Sequence, residues 1–282
     1  DSNKVLIGGG TTSYDDFPTT SDSYQDSSIQ NRSAIDEEAD GFISIIAANG
    51  NSVEKSTFIS TPNYDQVYFV EFDRFNNVYG YGQTEGGLFP LLRAPVANAG
   101  AGQFIVKLDE NLDSLEFSTT FGNGNNTGRV NISPTAFLVD KCQNIYAAGW
   151  GGSIRPDFPG AISVEGVKSI ANMPLDRDTS YGIINNSAFY LYVVNRNVDD
   201  VLYATLIGGS SSGDHVDGGT SRFDKNGIVY HSVCASCGTA RNDFPTSPSA
   251  YSRTDNSPNG RCNNALFKLD FEIVIRADFS LD

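Results

Sequence analysis

The sequence predicts an all-β chain of serially repeated antiparallel sheets, and three observations carry that expectation. The first is a phrase that returns four times: Asp16-Phe17-Pro18-Thr19-Thr20, Leu88-Phe89-Pro90-Leu91, Asp157-Phe158-Pro159-Gly160 and Asp243-Phe244-Pro245-Thr246-Ser247. Repetition at such a period marks an architecture built from one supersecondary unit. The second is the glycine-punctuated run before each phrase: Val5 to Thr11, Val78 to Thr84, Ile145 to Trp150, and Ile228 to Val233. The third is composition, because 28 glycines, 11% aromatic and 19% charged residues in 282 suit short strands and tight turns. No heptad, no run at helical spacing and no apolar stretch of bilayer-spanning length breaks the pattern.

The second copy displays the unit most plainly. Val67 to Asp73 reads as a strand, Arg74 to Asn77 as a turn, and Val78 to Gln83 as the partner strand. Asp and Asn make the turn because they tolerate left-handed backbone and bond their own main chain. A variable loop follows the Phe-Pro phrase. Gln103 to Asp109 is then a third strand, Glu110 to Asp113 a second turn, and Ser114 to Phe121 a fourth strand. The third copy keeps this order through Ala136–Asp140, Ile145 onward, Ala188–Val194 and Val201–Ile207. The fourth offers Gly219–Asp224, Ile228–Val233 and Ala265–Asp270. The first opens in the inner turn, so its inner strand is absent, while Phe42–Ala47 and Val53–Ile59 supply an outer hairpin. A chain that starts in a turn, with no basic and apolar leader, reads as one cut from a longer polypeptide.

Four-stranded antiparallel units in series suit a β-propeller. The expected blades are residues 1–61, 62–124, 125–210 and 211–273, with 274–282 a last strand or the start of a following module. The missing inner strand points to an arc of a larger propeller rather than a self-contained ring. Such an arc exposes apolar blade faces.

The repeat resembles the bacterial SBBP β-propeller repeat. Asn77 to Thr84, Asp16 to Thr20 and Phe104 to Leu108 carry the likeness, which spans essentially the whole chain. The segments Asp140 to Gly152, and His215 through Cys237 to Ala265, are similar to the propeller region of large Bacteroidota surface proteins. The tail Arg276 to Asp282 is similar to the opening strand of a PKD module, which such proteins often carry. The resemblance implies export by the type 9 secretion system, a place outside the cell or on the outer-membrane surface, and work in adhesion, gliding or surface assembly.

A formal charge of −15 excludes a phosphate-binding field and so argues against nucleic acid. The four cysteines are Cys142, Cys234, Cys237 and Cys262. Zinc needs four converging ligands, whereas Cys142 lies in an inner turn away from the other three. For an exported chain disulfides are the expectation, with Cys262 joined to Cys234 or Cys237 across neighbouring strands. Asp214 and Asp217 flank His215 and offer oxygens to Ca²⁺, but without the Asp-x-Asp-x-Asp rhythm of a calcium loop, so no cofactor is expected. Trp150, at a strand end, is either a wedge between blades or a stacking platform for a glycan. Asp113-Ser114-Leu115 matches the short pattern of Bacteroidota O-glycosylation, at Ser114. No Gly-x-Ser-x-Gly or His-Glu-x-x-His occurs, and no carboxylate pair stands in a signature. The expectation is a non-enzymatic extracellular scaffold, completed by a protein partner or by the rest of its parent polypeptide and inserted in no membrane. A glycan-binding or glycan-cleaving domain is the alternative. The loop Gly160 to Asn186 is the expected interaction surface.

Overall fold

One side chain organises each of five hairpin turns. Asp73 accepts hydrogen bonds from the amides of Phe75 and Asn77, and Asp140 from those of Cys142 and Asn144. Asp109 accepts from Asn111, Asp113 and Ser114, Asp224 from Asn226 and Ile228, and Asn195 from Asp199 and Asp200. Three residues after each of these, the backbone turns left-handed, at Asn76, Leu112, Gln143, Val198 and Gly227. The short polar side chain satisfies amides that the sheet leaves unpaired, which is why Asp and Asn hold these positions. Leu112 and Val198 are different in kind. Both are fully buried at φ 57° and 54°, a conformation that costs a bulky residue roughly 1–2 kcal/mol. Burying the side chain offsets that strain.

The computed structural model describes residues 4–13, 15–29, 39–85, 89–122, 130, 132–152, 187–209, 212–216, 221–238, 242–257 and 262–271. Among them there is no helix, and the strands form four antiparallel sheets. The first sheet is β1 (Val5–Thr11), β2 (Asp40–Ile46) and β3 (Val53–Ile59), three strands as expected. The second is β4 (Asp65–Phe72), β5 (Val78–Thr84), β6 (Gln103–Leu108) and β7 (Leu115–Phe121) in simple up-and-down order. The third repeats that order with β8 (Ser133–Val139), β9 (Ile145–Gly152), β10 (Ser187–Val194) and β11 (Val201–Ile207).

The fourth sheet departs from expectation. Its long strand β14 (Val229–Cys237) pairs with β15 (Asn263–Leu269) on one side. The other partner is split: β13 (Ser221–Phe223) pairs with Val229–His231, and β12 (Gly213–His215) pairs further along, towards Cys234 and Cys237. Asp214, one of the two oxygen donors considered for Ca²⁺, therefore lies within a strand. Asp214 is fully buried and Val216 nearly so, and burial requires their main chain to find sheet partners.

Three apolar clusters join the sheets in chain order. Ile43, Ile45 and Ile59 of the first sheet meet Val67, Phe104 and Val106 of the second. Tyr81, Ile105 and Phe121 of the second meet Phe137, Ala147 and Tyr190 of the third. Phe189, Leu191 and Val193 of the third meet Val229, Val233 and Ala235 of the fourth. The first strands of successive sheets, β1, β4, β8 and β13, lie against one another in the same order.

In three of the sheets the phenylalanine of the repeated phrase packs on a phenylalanine of the strand that follows it. Phe17 lies on Phe42, Phe89 on Phe104 and Phe244 on Phe267, with ring centroids 4.6, 4.4 and 6.1 Å apart. Gly82 leaves room for this, since a Cβ there would sit 2.4 Å from the Phe104 ring and 2.2 Å from the Gln66 carbonyl oxygen. In the first two sheets the loop then follows the outer edge of the fourth strand. Thr20 N–H bonds Ser56 O, Phe58 N–H bonds Gln25 O, and Leu92 and Ser118 exchange both bonds. The phrase at Phe158 and the loop from Gly160 to Asn186 lie outside the described residues, as does the tail 274–282.

Candidate functional site

The ends of three strands converge beside the third core cluster. Trp150 near the end of β9, His215 at the end of β12 and Cys237 at the end of β14 come together because β12 and β14 pair directly. The Trp150 and His215 rings lie 5.8 Å apart and tilted at 49°, and His215 Nδ1 is 3.7 Å from Cys237 Sγ. Cys237 is bonded to Cys262, with an S–S distance of 2.09 Å. This is one of the two pairings left open by the sequence. Cys234 and Cys142 are not disulfide-bonded, and Cys142 sits exposed in its hairpin turn. Trp150 is half-buried with its ring on a neighbour.

Donor atoms of His215, Cys237 and Cys262 lie within 4.8 Å of one another. As a disulfide, the two sulfurs are not thiolates and do not act as metal ligands. What the arrangement offers is a bridge with an imidazole positioned to hand a proton to Cys237 if an external thiol attacks Cys262, the exposed partner. The bridge also closes a long loop between Cys237 and Cys262, a separation of 25 residues.

Asp214 is a structural carboxylate. One oxygen accepts from the Gly209 amide and the other from the Ser236 amide at 2.9 Å. Burial pushes its carboxyl up to about 7, with nearby Asp243 adding to the effect. Asp243 opens the fourth phrase and bonds both the amide and the hydroxyl of Ser212. The phrase thereby ties down the entry to β12. Asp217 lies outside the described residues.

The same device occurs at Asp65, which sequence reading missed. Asp65 opens β4 fully buried, accepts from the amide and hydroxyl of Thr61, and is also raised by burial to about 7. Each aspartate clamps the connector that brings the chain from the preceding sheet. The signal was an Asp a few residues after the Gly-Gly or Ser-Thr closing that sheet, hidden among many Asp residues in turns. His231 is also buried, stacked on Phe267 at 4.7 Å with its Nδ1 2.8 Å from Ser221 Oγ. Burial lowers it to about 4, so it is neutral and packed. Ser114 is exposed, its amide held by Asp109.

Clefts among the described residues face solvent. One, of about 410 Å³, lies between the second and third sheets, lined by Asn98, Phe121, Tyr192 and Asp200 among others. Another, of about 740 Å³, runs between β15 and the loop after Phe244. No family model matches the chain, and no curated protein matches it.

Proposed function

We propose that the four sheets are blades of an open β-propeller arc, and that the chain is a non-enzymatic interaction module of an extracellular or outer-membrane-surface protein. The carrying observation is the pair of outward faces. Val5 and Ile7 on the first sheet are 53% and 41% exposed, and Tyr230 and Leu266 on the fourth are 39% and 77% exposed. The three apolar clusters run from the first sheet to the fourth, and among the described residues none joins the fourth back to the first. Exposed apolar side chains on the outward sheets at both ends of the stack, set on the fourth among Arg222, Asn264 and Lys268, mark surfaces open to another element. The partner is the rest of a longer polypeptide or a separate surface protein. The disulfide supports an oxidising compartment. The glycan alternative draws on Trp150, whose ring rests on His215, and no observation favours it.

Sedimentation velocity of the wild type beside the Ile7→Lys/Leu266→Lys double variant tests this reading. Open faces predict concentration-dependent self-association and dye binding in the wild type, both lost in the variant while its β circular dichroism persists. A wild type that stays monomeric and binds no hydrophobic dye sinks the proposal.

A further inference from the structure

Counting outward, the first two sheets end in the same three layers: third strand, fourth strand, then the loop that follows the Phe-Pro phrase. Ser56 and Phe58 of β3, and Ser118 of β7, bond that loop directly. The fourth sheet differs. Among the described strands β15 pairs only with β14, and the cleft of about 740 Å³ separates it from its own phrase loop. One wall is Asn263 to Lys268, and the other includes Phe244, Pro245, Tyr251 and Arg253. The cleft therefore stands where the other sheets place a fourth strand.

We propose that this slot receives residues 276–282 of the chain itself as the fourth strand. Three regularities select that segment. The first is spacing. Val53, Leu115 and Val201 each open a fourth strand seven residues after the third strand ends, at Ile46, Leu108 and Val194. The same interval from Leu269 reaches Arg276. The second is the turn. Asp270 takes the place of Asp109 and Asn195, and Ile273 that of the buried Leu112 and Val198.

The third regularity is register. The three observed third-to-fourth pairings share one register, including a bulge after the first pair: Leu108 faces Leu115, Lys107 faces Phe117, and Val106 faces Ser118. Carried to the fourth sheet, it sets Lys268 opposite Asp278, Phe267 opposite Phe279 and Leu266 opposite Ser280. An opposite-charge pair and an aromatic pair are both favourable cross-strand neighbours. Ser280 also falls in the column of the buried hydroxyls Thr57, Thr119 and Thr205. Asp282 departs from the column of Ile59, Phe121 and Ile207, at the end of the strand. The tail belongs to the fourth sheet and does not open a separate module. This holds whether or not the sheets form a propeller arc.

Paired cysteines test the register in the full chain, with Cys142→Ser and Cys234→Ser removing the two unbridged thiols. Mild oxidation should link Leu266→Cys to Ser280→Cys within one chain, read by mass spectrometry of the digest. Leu266→Cys with Leu281→Cys, a one-residue slip, should link far less. Equal linking in both pairs, no linking, or linking only between copies overturns the proposal. Amide exchange in the unaltered chain gives an independent reading. Slowing of residues 276–282 by about 100-fold or more relative to an unstructured peptide supports the strand, and exchange at the peptide rate overturns it.

Discussion

Asp65→Asn should stabilise the protein at neutral and higher pH, and progressively less as the solution is acidified. The Asp65 carboxyl is fully buried and titrates near 7, against an ordinary value of 3.8. Burial is the main cause, and neighbouring Asp40 adds to it. Between those two values the folded chain holds a proton that the unfolded chain has released. Stability contributed by the protonated form is therefore complete below pH 4 and is lost as pH rises through 7. At 1.36 kcal/mol per tenfold change in proton affinity, the buried carboxyl costs roughly 2 kcal/mol by pH 5, as a proton the unfolded chain would release, and roughly 4 by pH 8, as a charge in place. Asparagine keeps an oxygen for the Thr61 amide and hydroxyl and carries no charge. The advantage of the variant should grow by about 2–3 kcal/mol between pH 5 and pH 8. Urea unfolding at four pH values measures it, and contributions from Asp214 and His231 cancel in the difference. An advantage that stays flat with pH, or shrinks as pH rises, refutes the reasoning.

Other outcomes follow from the same geometry. Cys262→Ser should cost about 3 kcal/mol by releasing the 25-residue loop, and reductant should lower the wild type to the variant's stability while leaving the variant unchanged. Cys142→Ser, in an exposed turn, should unfold at the wild-type denaturant midpoint. Phe89→Ala removes a ring stacked 4.4 Å from Phe104 and should cost about 3–5 kcal/mol by denaturant titration, with faster amide exchange at Leu92 and Asn98. Gly82→Ala should cost about 1–3 kcal/mol or more, because a carbonyl oxygen blocks the new methyl. His231 should stay neutral in an NMR titration until about pH 4, and its contribution to stability should be lost as pH falls from 6.5 through 4.

The hairpins were legible because their causes are local. Asp73, Asp109, Asp140 and Asp224 bond amides two to five residues away, and the same spacing recurs in the sequence. The split between β12 and β13 was not legible, because a Gly-rich polar stretch gives no periodicity to mark strand. The site was legible only in pieces. Trp150, His215 and the cysteines each drew notice separately, and their meeting depends on β9, β12 and β14 ending together.

By itself the sequence determined the repeat, the all-β class, the order of strands within the first three sheets and the chemistry of the turns. Those follow from side-chain alternation and from Asp and Asn bonding their own backbone. Tertiary structure decided which sulfur meets Cys262, which aspartates are sealed from water, and why Leu112 and Val198 hold a left-handed backbone. Each of these depends on what a neighbouring strand or sheet places beside the residue. Burial and desolvation arise only when segments far apart in sequence pack together.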